Sequence, residues 1–311
     1  MRRAAPLLAG ILAQILFGFS LFFIKMGMAA VNQDTVKYLA FRFTVGFLCM
    51  TVLVALRVVK VSYRGKPLKV LLLCGLFNPV VSQVLETSST TYAPTAQIAM
   101  LSSVLPIVVI AVGVLFFRER VSAAAVGFCA LSAVGVFLAS IGPTEGSTPL
   151  GVILIASTVV VVAFSRIFLR KARETFTGFE AIYVTTGMGA LAFSTITLVT
   201  HAWRGSMGSF FDGLWRMDFL TAVLYMGICS CVIAFSLMAY SSASLSVEVY
   251  AALNTIYTVV CICVGVTLLH ERLEVLDIVG TVVILAGVIG VNLCRSGEKK
   301  EPPAVPAQKE G

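Results

Sequence analysis

With 59% hydrophobic and 12% charged residues over 311 positions, the chain departs from the soluble average of roughly half apolar and about a quarter charged, which excludes a soluble globule and a disordered chain alike. Its net charge of +8 invites a nucleic-acid partner. The basic residues are instead spread among loops between apolar runs, so none is expected, and membrane lipids are the expected surroundings.

Apolar runs of the length that spans about 30 Å of hydrocarbon as an α-helix recur along the whole chain. They fall at 7–30, 35–57, 69–91, 93–116, 122–141, 149–171, 178–200, 217–240, 246–269 and 275–294. The expected fold is an all-α integral membrane protein of ten transmembrane helices. Arg2 and Arg3 precede the first run as in a secretory signal, but the run is long, carries Lys25 and lacks a small-residue cleavage site, so it is expected to be retained. Connections are short, and residues 295–311 have the composition of a disordered tail. The eight cysteines sit within or at the ends of apolar runs and suit packing. Cys229/Cys231 and Cys261/Cys263 have C-x-C spacing without a histidine inside a span, so no metal or other cofactor is expected.

Sixteen basic residues collect on one side of this arrangement, among them Arg57, Lys60, Lys66, Arg118, Arg120, Arg170, Lys171 and Arg173. The other side has Lys37, Arg204, Arg216 and Arg272. The positive-inside rule then places both termini in the cytoplasm of a plasma-membrane protein.

Self-comparison divides the chain. Residues 103–121 align with 255–273 at an offset of 152, matching Val108 to Val260, Gly113 to Gly265, Glu119 to Glu271 and Arg120 to Arg272. Residues 18–25 align with 163–170 at an offset of 145, matching Ser20 to Ser165 and Lys25 to Arg170. Each half, 1–144 and 145–294, holds five expected helices. Five is odd, so the halves are expected to be inverted repeats, with the RER turn (118–120) and the HER turn (270–272) on opposite sides.

The run FGFSLFFIKMG, the arginine of YLAFRF, the stretch APTAQIAMLSSVLP leading to FFRER, and the counterpart SLSVEVYAALNTIY leading to LLHERL together resemble the EamA-type members of the drug/metabolite transporter superfamily over about residues 6–294. The resemblance implies secondary transport of small metabolites, amino acids among them, with exchange of phosphorylated sugars or nucleotide sugars as the alternative. Thr258 stands where the first half has Pro106, so a proline bend in the ninth span is not expected.

Ionisable groups within a span are costly unless paired or hydrated, so they are the substrate-binding candidates. Lys25, Arg42 and Glu86 fall at similar depth on the first three spans, as an anion-attracting pair and a balancing or proton-accepting acid. Gln14 shares a helical face with Lys25, and Asn78 and Ser82 share one with Glu86. Gln97 marks a polar stripe on the fourth span. Arg166 on the sixth, and Glu248, Tyr250, Asn254 and Tyr257 on the ninth, complete the set. Structural readings compete for each: ion pairs for Lys25, Arg42 and Glu86, helix capping for Glu248, and helix bridging for Asn254. Glu119 and Glu271, at helix ends, read as structural. Gly127, Gly135, Gly280, Gly287 and Gly290 read as close-packing positions.

The mixed charges favour a zwitterionic cargo for an exporter acting as monomer or homodimer. The aspartates and both histidines lie outside the spans or at their ends, and no G-x-S-x-G, H-E-x-x-H or G-x-x-x-x-G-K-[ST] occurs, so an enzyme is not expected. A channel or structural subunit is the remaining rival.

Overall fold

The structure, a computed structural model, describes residues 4–63, 65–117, 123–141, 146–245 and 247–298. Among the described residues every regular element is helical. The first half contains α1 (Ala4–Gly18), α2 (Ser20–Ala30), α3 (Thr35–Ala55), α4 (Lys69–Gly75), a π-helical segment (Leu76–Val81), α5 (Ser82–Ser89), α6 (Thr95–Ser102), α7 (Leu105–Phe117) and α8 (Ala123–Ile141). The second contains α9 (Pro149–Ala172), α10 (Gly178–Trp203), a 3-10 segment (Met207–Trp215), α11 (Met217–Leu224), a second π-helical segment (Tyr225–Ala234), α12 (Phe235–Ser244), α13 (Val247–Leu268) and α14 (Val275–Glu298). Helix α14 thus takes in the first residues of the expected tail, and the rest of the tail and the RER turn lie outside the described residues.

Among the described residues, seven stretches are long and apolar enough to cross a membrane: Ala5–Ala30, Thr35–Ala55, Lys69–Ser89, Thr95–Phe116, Pro149–Ala172, Gly178–Trp203 and Met217–Met238. Shorter apolar stretches, Val126–Leu138, Thr255–Leu268 and Val275–Val291, lie in α8, α13 and α14. Leu115, Phe137, Leu191 and Val282, all within apolar helices, are between 62% and 75% exposed, an outer surface suited to lipid rather than water. This is a multi-pass membrane protein.

Helix starts follow from local chemistry. Asp34 caps α3 by accepting from the Lys37 N–H at 3.1 Å, and Thr148 caps α9 ahead of Pro149, whose missing N–H costs nothing there. Thr177 and Glu180 form a reciprocal capping box on α10. Glu180 also accepts from the Ser62 N–H and from Lys66 Nζ, both at 2.8 Å, which ties the α3–α4 loop to the start of α10. About 30 Å away along α3, Thr35 pairs with Ser88, Gln33 accepts from Thr91, and the Tyr92 carbonyl accepts from the Thr148 N–H. The bundle therefore has two ends, one marked by Glu180 and one by the α5–α6 turn. Between them Tyr38, Leu39, Phe193, Phe219 and Met226 fill the main core, while α8 packs along α14 around Ile284 and Val291.

Four of the expected spans are interrupted. The first loosens at Phe19, which stays in the helical region (φ −74°, ψ −14°), and the third breaks at Asn78 (φ −141°, ψ 111°) before Pro79, so the unbroken polar face expected for Asn78, Ser82 and Glu86 is not there. The fourth pauses at Ser103 and Val104, since Pro106 cannot donate an N–H to the preceding turn. The eighth contains the π-helical turn Tyr225–Ala234. Irregular backbone at membrane depth survives where protein groups or a cavity satisfy it. Here Tyr225 Oη donates to the Leu16 carbonyl at 2.8 Å and Cys261 Sγ to the Gly18 carbonyl at 3.3 Å. Helix α13 runs unbroken through Thr258.

Candidate functional site

The interruptions surround one internal space. Its inner chamber, about 310 Å³, is reached by Ser20 just past the first, by Asn78 at the second, by Ser103 and Pro106 at the third, and by Ser230 in the second π-helical segment. Ser20 and Ser230 share a hydrogen bond of 3.3 Å, joining the halves at the chamber wall. A wider chamber of about 520 Å³ adjoins it, sharing Arg42, Asn78, Gln83 and Arg166 and reaching Arg173, Phe176 and Gly178 towards the Glu180 end. The space is thus extended towards that end of the bundle.

Charge in the inner chamber comes from Arg42, Arg166 and Glu86. Arg42 Nη1 donates to Gln83 Oε1 at 2.8 Å, and Gln83 Nε2 donates to Glu86 Oε2 at 2.6 Å. Gln83 therefore relays between cation and acid, keeping the guanidinium and the carboxylate apart and both on the cavity. Apolar wall is supplied by Phe17 and Phe235, whose rings meet edge to face at 5.0 Å, with Met226, Met238 and Tyr257. A positive group, a negative group and an apolar wall around one cavity suit a small molecule carrying both charges.

Of the residues singled out in the sequence, Gln14, Arg42, Asn78, Glu86, Arg166 and Tyr257 line the inner chamber. Lys25 lines neither chamber: its ammonium is 2.7 Å from Glu271 Oε1, so it shares no ion pair with Glu86 of the kind a common layer suggested. Ser82 is fully buried and donates to Asn78 Oδ1 at 3.0 Å, and Gln97 is buried as acceptor of a 2.7 Å bond from Ser147. Both support the wall rather than face the space. Glu248, Tyr250 and Asn254 lie in the first turns of α13, and their side chains fall outside those described.

Gln83 was not anticipated, although it stands three residues before Glu86 on one helical face, a spacing that pairs side chains. Ser20 stands out in the sequence only as a repeat match. Ser230 carried no signal, because its direction depends on the π-helical turn. Among the described residues no three His, Cys, Asp or Glu side chains gather to hold a metal ion.

Glu271 belongs to the α13–α14 turn, outside the spans. Burial pushes its carboxyl up, but the Lys25 hydrogen bond and charge, with the N–H groups of Thr95 and Ala96, outweigh that and hold it below the usual carboxylate value.

Comparison with known proteins agrees with this architecture. The chain is 27% identical over 305 residues to the uncharacterized transporter YcxC of Bacillus subtilis (strain 168), covering 97% of each. One crystal structure, 17% identical, superposes with a TM-score of 0.62 over 95% of this chain and 99% of that one, a likeness of fold. The description "EamA-like transporter family" matches residues 4–141 and 149–293. Matched over nearly its whole described length, the chain belongs to the EamA-like transporter family.

Proposed function

We propose that this transporter exports small zwitterionic metabolites, amino acids first among them, across the plasma membrane by alternating access to its central cavity. In this reading ten spans form two inverted five-helix repeats with both termini cytoplasmic. The Arg42–Gln83–Glu86 relay, with Arg166 lining the same chamber, carries the proposal, since it offers a carboxylate and an ammonium separate partners within one cavity. The repeat reading is supported by the family match in two segments and by π-helical turns in both the third and the eighth expected spans. Loading from the cytoplasm is supported by the extension of the wider chamber to Arg173, on the side where Arg57, Lys60, Lys66 and Lys171 gather.

A second reading, exchange of phosphorylated sugars, is favoured by one observation: Arg42, Arg166 and Arg173 line the wider chamber and no carboxylate does, among the described residues. A thermal-stability screen of the purified protein separates the two. A ligand at 100 times its Kd stabilises the folded state by about 2.7 kcal/mol. Amino acids shifting the melting temperature while sugar phosphates do not supports the first reading, and the reverse result replaces it with the second.

A further inference from the structure

Lys25 and Glu271 are left out of the cavity, yet they form a well-defined charged cluster. Glu271 Oε1 accepts from Lys25 Nζ at 2.7 Å and from the Thr95 N–H at 2.7 Å, and Oε2 accepts from the Ala96 N–H at 3.1 Å. Thr95 and Ala96 open α6, whose N-cap residue, Pro94, has no side-chain cap to offer. The carboxylate that caps this first-half helix thus arrives from the second half, from the turn between α13 and α14. A negative charge is stabilised at the positive end of a helix, and Lys25 on α2 completes its neutralisation.

The turn is shaped to deliver it. Glu271 N–H donates to the Gly265 carbonyl at 3.0 Å, and a Cβ at Gly265 would stand 2.5 Å from Glu271 Oε2. Only glycine at 265 leaves the carboxylate its present place. The cluster sits at the end of the bundle away from Glu180, beside the bond from Thr148 to the Tyr92 carbonyl, while the wider chamber reaches towards the Glu180 end. One carboxylate thereby ties α2, α6 and the α13–α14 turn together across the two halves.

We propose that Glu271 is a gating residue: its carboxylate clasps the first turn of α6 and Lys25, holds this end of the cavity shut, and releases both when the cavity opens there. The proposal rests on the alternating-access reading. It assigns Lys25 to the gate instead of the cargo. Every bond in the clasp joins a second-half acceptor to a first-half donor, so relative movement of the halves at this end must break all of them, whereas bonds within one half would travel with it.

The test uses the full chain in a cysteine-free background with one reporter cysteine, at Ile24 beneath the clasp or at Ile182 in the wider chamber, labelled in sealed vesicles of either orientation by a membrane-impermeant thiol reagent. Glu271→Gln removes the charge, and Gly265→Ala displaces the carboxylate without removing it. Each is expected to raise labelling at 24 from the clasp side about tenfold and to lower labelling at 182 from the other side, with Lys25→Met giving a smaller shift. Labelling unchanged at both reporters, or raised at both, overturns the clasp and leaves a structural cap. If Glu271→Gln fails to fold, Gly265→Ala carries the same comparison. Parent protein labelled at both reporters together, under every condition, overturns alternating access itself, a result distinct from failure of the clasp alone.

Discussion

Arg42, Gln83 and Glu86 show how a buried ion pair can be divided so that both charges remain available. A direct pair would satisfy itself and leave little for a ligand, whereas the glutamine holds each charge by one hydrogen bond. Glu86→Gln keeps the shape and removes the negative charge. Losing a charge-assisted contact of about 1.5–3 kcal/mol lowers transport efficiency by roughly 10- to 150-fold for an amino acid substrate. Initial-rate measurements on folded, membrane-inserted protein check this, and kinetics equal to the parent's remove Glu86 from the site.

A second expectation at this scale concerns pH. Glu271 has its carboxyl held below the ordinary value in the folded protein, so its stabilisation is complete above the unfolded-state value near about 4.3 and is lost as pH falls through the lower folded-state value. The difference in melting temperature between the parent and Glu271→Gln should therefore stay constant from about pH 8 to about pH 5 and shrink only below about pH 4. A difference that fades already between pH 7 and 5 contradicts the pairing. Arg42, Glu86 and Arg166 were legible in the sequence as charges that reach the cavity, since an ionisable group inside an apolar run declares itself. Partners were not: Lys25 and Glu271 are 246 positions apart, and nothing local to either residue shows that they meet.

At the scale of elements, the apolar runs located the helices well because hydrophobic length is a direct requirement of the bilayer. They could not locate the interruptions. Pro106 announced one, whereas at Pro79 the polar spacing of Asn78, Ser82 and Glu86 read as a continuous helical face although Asn78 leaves helical geometry. The loosening at Phe19 and the π-helical turn at Tyr225–Ala234 depend on tertiary partners such as the Tyr225 hydroxyl on the Leu16 carbonyl.

The glycines of α8 and α14 divide in the same way. A Cβ at Gly135 would lie 2.7 Å from the backbone nitrogen of Ile284, and one at Gly287 would lie 2.7 Å from the Phe128 carbonyl oxygen, so both permit close backbone approach. Gly127, read with them as a packing position, faces open space. Alanine at 135 or 287 should thus cost about 1–3 kcal/mol through overpacking. Alanine at 127 should be neutral or gain up to about 1 kcal/mol of helix propensity. Thermal unfolding in detergent compares the three, and equal effects would mean that α8 and α14 do not pack this closely.

For the molecule as a whole, composition was enough to identify a membrane protein, and the repeat in its sequence suggested two halves of opposite orientation. Orientation itself is set by charge outside the spans. Single cysteines at positions 119 and 271 in a cysteine-free background are expected to react from opposite sides of the membrane, with 119 cytoplasmic. Reaction from the same side overturns the inverted repeat.

The central claim is that a cavity bearing Arg42, Arg166 and Glu86 carries a small zwitterion across the membrane, and counterflow in proteoliposomes tests it most directly. Vesicles preloaded with an unlabelled amino acid that stabilises the purified protein should transiently accumulate the labelled form from outside, saturably, and Glu86→Gln and Arg166→Gln should each remove most of that accumulation. Flux that rises linearly with concentration and shows no counterflow, or accumulation undiminished in both variants, contradicts the account.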